Sequence, residues 1–197
     1  NDPDQLAYII ANEIISLGEQ PFILFGHSVG ASLLMRVEFL LRNHKIYEKL
    51  ILLVISSRPA PEYLKIMQRK NALTDEELLL ELKLYNNFPE EILNNKDMLD
   101  FFWPIIKNDF LLSDHTLNDH IALTQKPLMA IYGEEDPYIK KPCIMQSWQN
   151  YSERWLGAYP QQGNHFYFLD QTVLIHTIDL ISSKLEQLLL DEILLND

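Results

Sequence analysis

Basic residues are few in this chain: 16 Lys and Arg stand against 28 Asp and Glu, a formal net charge of −12. That deficit excludes a role built on polyanions, because affinity for nucleic acid comes largely from Lys and Arg on phosphates. It argues equally against an anionic membrane surface. Cysteine occurs once, at Cys143, so no disulfide forms within the chain, and this usage fits a reducing, cytoplasmic compartment. Long apolar runs are missing as well. The longest, Leu50 to Ile55, is far short of the ~20 residues that span a bilayer. No Lys or Arg precedes Arg36, so the start lacks the basic n-region of a secretory signal. The first residue is Asn1 rather than Met, a hint that the natural N-terminus lies upstream or has been removed. Glycine is scarce, 6 in all, which makes a glycine-bearing motif less of an accident. What remains, 47% apolar and 22% charged, is ordinary for one globular domain, residues 1–197, with a real core.

Asp2-Pro3 reads as an N-cap with proline in the first helical position. Leu6, Ile9, Ile10, Ile14 and Leu17 then recur at helical spacing, and Gly18 closes the helix. Phe22 to Phe25 is a short apolar run that predicts a buried strand, and Ala31 to Asn43 predicts a helix. Leu50 to Ile55, Leu128 to Tyr132 and Trp155 to Tyr159 predict three more strands. A helix is expected around Pro142 to Tyr151. Another, amphipathic, is expected over Val173 to Leu189.

The stretch 57–127 is far longer than the dozen or so residues that a crossover needs. Its middle, Thr74 to His120, carries helical leucines (Leu78, Leu79, Leu82, Leu84) and bulky Phe88, Met98, Phe101, Phe102 and Trp103, and reads as a helical insertion. Strands alternating with helices imply a mostly parallel sheet with helices on both faces, an α/β fold.

Gly26-His27-Ser28-Val29-Gly30 matches G-x-S-x-G between a strand and a helix, the setting in which the motif has meaning. A nucleophilic serine there occupies a tight turn, so small residues are expected to flank it. The following helix N-terminus favours developing negative charge, and the Val29 N–H is expected to donate to an oxyanion. A serine hydroxyl needs a base, and α/β-hydrolases supply acid and base later in the chain, in that order. Leu128 to Tyr132 leads into Gly133-Glu134-Glu135-Asp136-Pro137. Asp136 is the first choice for the acid, with Glu134 and Glu135 as alternatives. Gly163-Asn164-His165-Phe166 follows the last strand, which makes His165 the base. The other histidines fit less well: His27 lies inside the motif, His44 and His176 on helices, and His115 and His120 in the insertion.

These motifs in this order resemble the type II, or editing, thioesterases that accompany non-ribosomal peptide and polyketide synthases, within the α/β-hydrolase superfamily. The resemblance rests on Phe25-Gly26-His27-Ser28-Val29-Gly30-Ala31, where Val29 stands for the family's methionine, and on Ser56-Ser57-Arg58-Pro59-Ala60-Pro61. It extends to Thr74-Asp75-Glu76-Glu77-Leu78, Pro89-Glu90-Glu91-Ile92-Leu93 and Pro104-Ile105-Ile106-Lys107-Asn108-Asp109-Phe110. It ends with the Gly133–Pro137 turn and Gly163-Asn164-His165-Phe166-Tyr167-Phe168-Leu169.

The resemblance implies hydrolysis of acyl thioesters from the phosphopantetheine arm of an acyl or peptidyl carrier protein, through a Ser28 acyl-enzyme. It implies no metal and no cofactor. It makes 74–120 a lid, with Phe101, Phe102 and Trp103 as candidate substrate contacts. Carrier proteins in such systems are generally acidic, so docking is expected to rest on apolar lid contacts. The densest basic cluster is Lys65, Arg69 and Lys70, read as a solvated helix face.

Only 27 residues precede Ser28. The fold ordinarily has several strands before this point, and an early loop among them supplies the second oxyanion donor. The expectation is therefore that the N-terminal strands are absent, the sequence being a fragment or completed by another polypeptide. The competing functions are another serine esterase, a chain-releasing thioesterase domain, and, in a different class, a non-catalytic remnant that binds a carrier protein.

Overall fold

The computed structural model describes residues 2–85 and 90–196. Phe88 and Pro89 of the insertion pattern lie outside the described residues. The elements, in chain order, are α1 Pro3–Ser16, β1 Phe22–His27, α2 Val29–Leu41, β2 Leu50–Ser56, α3 Pro61–Leu64, α4 Asp75–Leu84, α5 Glu90–Asn94, α6 Lys96–His115, β3 Thr124–Gly133, α7 Cys143–Gln146, β4 Ser152–Gln161 and α8 Gln171–Asn196.

The four strands form one sheet in the order β1-β2-β3-β4, every neighbouring pair parallel. Because side chains alternate along a strand, the apolar run of β2 feeds both faces. Leu53 and Ile55 pack with Ala31, Leu34 and Met35 of α2 and with Met145 and Trp148. Leu52 and Val54 pack on the opposite side with Tyr167 and with Val173 and Leu188 of α8. Helices therefore cover both faces, as the α/β pattern predicts. Helix α1 lies on α2 through Ala7, Ala11, Val37 and Leu41.

Helix α1 begins as its sequence predicts. The Asp2 side chain accepts the Asp4 N–H at 2.9 Å, Pro3 sits in the first turn, and Gly18 follows the helix at φ 87°. Several elements run longer than their apolar cores suggest. Strand β3 starts at Thr124 and passes through Pro127. Proline is tolerated there because β2 pairs with β3 only from Leu128 onward, so Pro127 faces a ladder on the β4 side alone. Strand β4 lies at the sheet edge and extends over polar Ser152, Glu153 and Arg154. Helix α8 starts at Gln171 because the Asp170 carboxylate caps the N–H groups of Thr172 and Val173 at 2.9 and 3.1 Å. The helix expected over Pro142 to Tyr151 is instead α7 followed by a 3₁₀ segment, Ser147–Tyr151.

The insertion is helical, α4 to α6, and has a small core of its own. Leu78 and Leu82 of α4 meet Phe110 of α6, with Trp103 and Ile106 packed against them. Thr74 and Glu77 close a reciprocal capping box at the start of α4. No helix among the described residues is long and apolar enough to cross a membrane.

Candidate active site

Strand β1 runs directly into Ser28, whose backbone sits at φ 53°, ψ −125° before α2 begins at Val29. A non-glycine residue held there costs on the order of 1–3 kcal/mol, and its surroundings must over-determine it. Two backbone bonds do so: the Ser28 N–H donates to Ser56 O at 2.8 Å, and Ser28 O accepts the Ala31 N–H at 3.0 Å. Gly26 is required by space. A Cβ there would lie 2.5 Å from Gly30 O and 2.7 Å from the Ala31 Cα. The expectation of crowding on both sides of the serine is corrected at Gly30, where an added Cβ would meet nothing within 4 Å. Val29 is the first residue of α2, so its N–H has no acceptor within the helix.

Strand β3 delivers the acidic turn. A Cβ on Gly133 would fall 2.0 Å from Asn164 O, so the backbone of this turn lies directly against the His165 loop. The Glu134 N–H donates to Gln161 O and the Glu135 N–H to Gly163 O, each at 2.9 Å, which ties the two loops together. Glu134 and Glu135 are exposed, whereas Asp136 is buried. Asp136 Oδ1 accepts the Tyr138 N–H at 3.0 Å, and Oδ2 lies 2.8 Å from His165 Nδ1. With His165 itself only 3% exposed, this is a buried carboxylate–imidazole pair. An Nδ1–H donated to the carboxylate leaves Nε2 as the free lone pair.

The elbow and this pair meet through His27. Its ring lies 4.8 Å from that of His165 and 4.8 Å from that of Phe168. His27 Nδ1 is 2.9 Å from Ser56 Oγ, which is 2.8 Å from the Tyr167 hydroxyl. Burial, and then the neighbouring His165, push the His27 imidazole down to about 3, so it stays neutral. Burial pushes the Tyr167 phenol up to about 12.

Of the insertion residues singled out in the sequence, Phe101 and Phe102 meet each other and Trp103 packs on the insertion core. Phe101 is exposed and meets Phe102 edge-on at 5.1 Å. Trp103 Nε1 donates to Asp75 Oδ2 at 2.9 Å, joining α6 to the start of α4. Among the described insertion residues, Tyr85, just past α4, meets His165, with ring centroids 4.6 Å apart. The available signal was the stripe Leu78-Leu82-Tyr85, whose last member packs on the insertion core and also reaches the His165 ring.

Arg58 is a second residue whose part was not read. It is fully buried, and its guanidinium donates to Ser32 Oγ at 3.0 Å, Ser113 Oγ at 2.9 Å and Thr116 Oγ1 at 2.8 Å. It thereby joins α2 to the end of α6. Desolvation lowers it to about 10. Lys70 is buried on Glu81, so it does not belong to a solvated basic face. Among the described residues, no group of three or more His, Cys, Asp or Glu side chains is arranged to hold a metal ion.

Comparison with known proteins agrees with the fold. The chain is 26% identical over 166 residues to the gramicidin S biosynthesis protein GrsT of Aneurinibacillus migulanus, covering 84% of this chain and 64% of GrsT. It is 27% identical over 171 residues to the medium-chain S-acyl fatty acid synthase thioesterase of Rattus norvegicus, covering 82% and 63%. The chain thus spans somewhat less than two thirds of the length of these relatives. The solved structure of BorB, a type II thioesterase from the borrelidin biosynthetic cluster, superposes with a TM-score of 0.77 at 26% identity, covering 93% of this chain and 73% of that one. The Thioesterase domain family matches residues 1–185, and the chain belongs to that family.

Proposed function

We propose that the chain carries the catalytic centre of a type II thioesterase, with Ser28 as nucleophile, His165 as base and Asp136 as the acid that orients it. The observation that carries the proposal is the buried His165–Asp136 pair at 2.8 Å, its imidazole 4.8 Å from the ring of His27, the residue next to a serine held at φ 53° between strand and helix. The substrate would be an acyl thioester on the phosphopantetheine arm of a carrier protein. Family membership and the similarity to GrsT and BorB support that choice.

In the chemistry proposed, Ser28 Oγ adds to the thioester carbonyl while His165 Nε2 takes the hydroxyl proton. The oxyanion receives the Val29 N–H. Collapse breaks the C–S bond, and His165 returns the proton to the leaving thiolate. Water then adds to the Ser28 ester with His165 again as base, releasing a carboxylic acid and free Ser28. Nucleophile and base are side chains of this chain, the Val29 donor is its backbone, and the Asp136 carboxylate stabilises the imidazolium formed in each half-reaction.

A fluorophosphonate probe tests the nucleophile without needing the natural substrate. Mass spectrometry should find the label on Ser28, and Ser28→Ala and His165→Ala should abolish it. Labelling of another residue, or undiminished labelling of His165→Ala, would overturn the assignment.

A further inference from the structure

The base, the acid turn and the first helix of the insertion meet at one residue, Tyr138, two positions past Asp136. Its backbone N–H donates to Asp136 Oδ1 at 3.0 Å, so it fixes the carboxylate on the side away from His165. Its hydroxyl donates to the Glu81 carboxylate on α4, and Lys70 pairs with that same oxygen. The Lys70 ammonium also lies over the Tyr138 ring at 5.2 Å. One turn after Glu81 comes Tyr85, whose ring is 5.2 Å from that of Tyr138, 4.6 Å from that of His165 and 6.3 Å from that of Phe110 in the insertion core.

Helix α4 is thus held at the active site through side chains that converge on a single carboxylate. The other end of the insertion is held differently. Arg58 joins the end of α6 to α2 through three hydroxyl groups, and buried Asp114 accepts the backbone N–H groups of Lys70 and Asn71 at 2.9 and 2.6 Å. That second attachment is buried and made of many bonds. The tie of the α4 C-terminal end to the acid turn depends on one phenol and one ammonium, whereas Leu78, Leu82 and the Trp103–Asp75 bond hold the rest of α4 on α6.

We infer that Tyr138 is a positioning residue that couples the seating of α4, through Glu81, to the support of His165 by the Tyr85 ring. The inference rests on the proposed catalytic role of His165 and Asp136. When the Tyr138–Glu81 bond is made, Tyr85 lies on the imidazole and Asp136 is held from behind, so a seated α4 and an ordered acid–base pair form one state. When it breaks, the Glu81–Tyr85 end of the helix moves off the acid turn while Asp75 and Leu78 stay packed on α6. The phenol stands well above its ordinary range, chiefly through burial, and so remains a donor at all working pH values.

Tyr138→Phe removes only the hydroxyl and keeps the ring and the backbone N–H. Hydrogen exchange on the purified chain should show amides 81–85 exchanging roughly tenfold or more faster, the scale set by losing a hydrogen bond to a charged acceptor. The Leu50–Ser56 amides should keep wild-type protection. Glu81→Ala removes the acceptor and should give the same pattern. On an acyl-pantetheine thioester, kcat should fall roughly tenfold in both variants with KM within about twofold, because the base is displaced while substrate contacts remain.

Unchanged exchange at 81–85 would overturn the inference. So would equal acceleration in Leu50–Ser56, or faster exchange with unaltered kcat, since each makes the cluster merely structural. Ser28→Ala turnover separates the two proposals. If it is retained, the catalytic assignment fails while the exchange result stands. If it is lost and the Tyr138→Phe exchange and kcat match wild type, only the coupling fails.

Discussion

His27 and His165 lie with their rings 4.8 Å apart, yet only His165 has a carboxylate partner. His27 faces a hydroxyl, Ser56 Oγ, and its Nε2 is buried without a partner. A charged His27 would repel the imidazolium that the proposed mechanism forms on His165, so a neutral His27 suits that proposal. Burial secures this for His27, which is held at about 3 against an ordinary 6.5.

That depression makes stability depend on pH. In the unfolded chain His27 takes a proton near 6.5, and in the folded chain only near 3. Between these values the unfolded state binds more protons, so the contribution is complete above about pH 6.5 and is lost as pH falls toward 3. Urea unfolding at about pH 4.5 should show a deficit on the order of 2 kcal/mol relative to neutral pH. His27→Gln, which keeps a polar partner for Ser56, should flatten the profile. Equal pH slopes in both proteins would sink the assignment.

The acidic turn offers three carboxylates, and the structure separates them by direction. Glu134 and Glu135 are exposed, and their backbone N–H groups do the tying of the loops, whereas Asp136 turns inward to His165. Asp136→Asn should lower kcat by ~10³–10⁴, because an amide favours the wrong imidazole tautomer. Glu134→Gln and Glu135→Gln should stay within about twofold, as surface substitutions do. A loss in either Glu variant matching that of Asp136→Asn would move the acid role.

The two glycines of G-x-S-x-G should part company on substitution. Gly26→Ala drives a Cβ into the Gly30 carbonyl and the Ala31 Cα, both backbone, so something must shift. A cost of about 1–3 kcal/mol and a loss of Ser28 labelling are expected. Gly30→Ala places its Cβ in open space within α2, where alanine is favoured by about 0.5–1 kcal/mol. Thermal unfolding of both variants of this chain is the check. Equal destabilisation would mean that Gly30 is also held by close approach.

Much of the architecture was legible because the central strands β2 and β3 are buried on both faces and so read as apolar runs, although β1 proved only half-buried, with Phe25 exposed. The boundaries were not. Thr124 and Pro127 belong to β3 through pairing with β4, and pairing partners do not show in a local window. Gly133 was visible as a turn residue, but its closer constraint is the Asn164 carbonyl, 2.0 Å from a Cβ built there. The same limit hid Tyr85, Arg58 and Lys70. Nothing beside Tyr85 in sequence announces an imidazole 80 residues away. Arg58 reads as part of a motif until three hydroxyls from α2 and the end of α6 are seen around it. Lys70 reads as surface charge until Glu81 covers it.

The loss of Lys70 from the surface sharpens what a carrier protein would meet. Lys65 and Arg69 remain exposed, but the cluster that could steer an acidic partner is down to two charges on a chain at −12. Helix α6 offers the alternative. Met98, Phe101 and Ile105 are exposed at i, i+3 and i+7, one apolar stripe along the insertion, with Phe101 72% accessible. Like-signed partners repel, and salt screens that repulsion over ~8–10 Å near physiological ionic strength. The kcat/KM for an acyl-carrier substrate should therefore stay level or rise as salt increases from about 0.05 to about 0.5 M. Turnover of a small acyl-pantetheine thioester should be indifferent to salt. Phe101→Ala should raise KM for the acyl-carrier protein by roughly 5- to 30-fold, the range of an interface anchor, and leave the small thioester unaffected. A steep fall with salt, abolished by Lys65→Glu and Arg69→Glu, would instead assign docking to the two remaining cations and refute the apolar stripe.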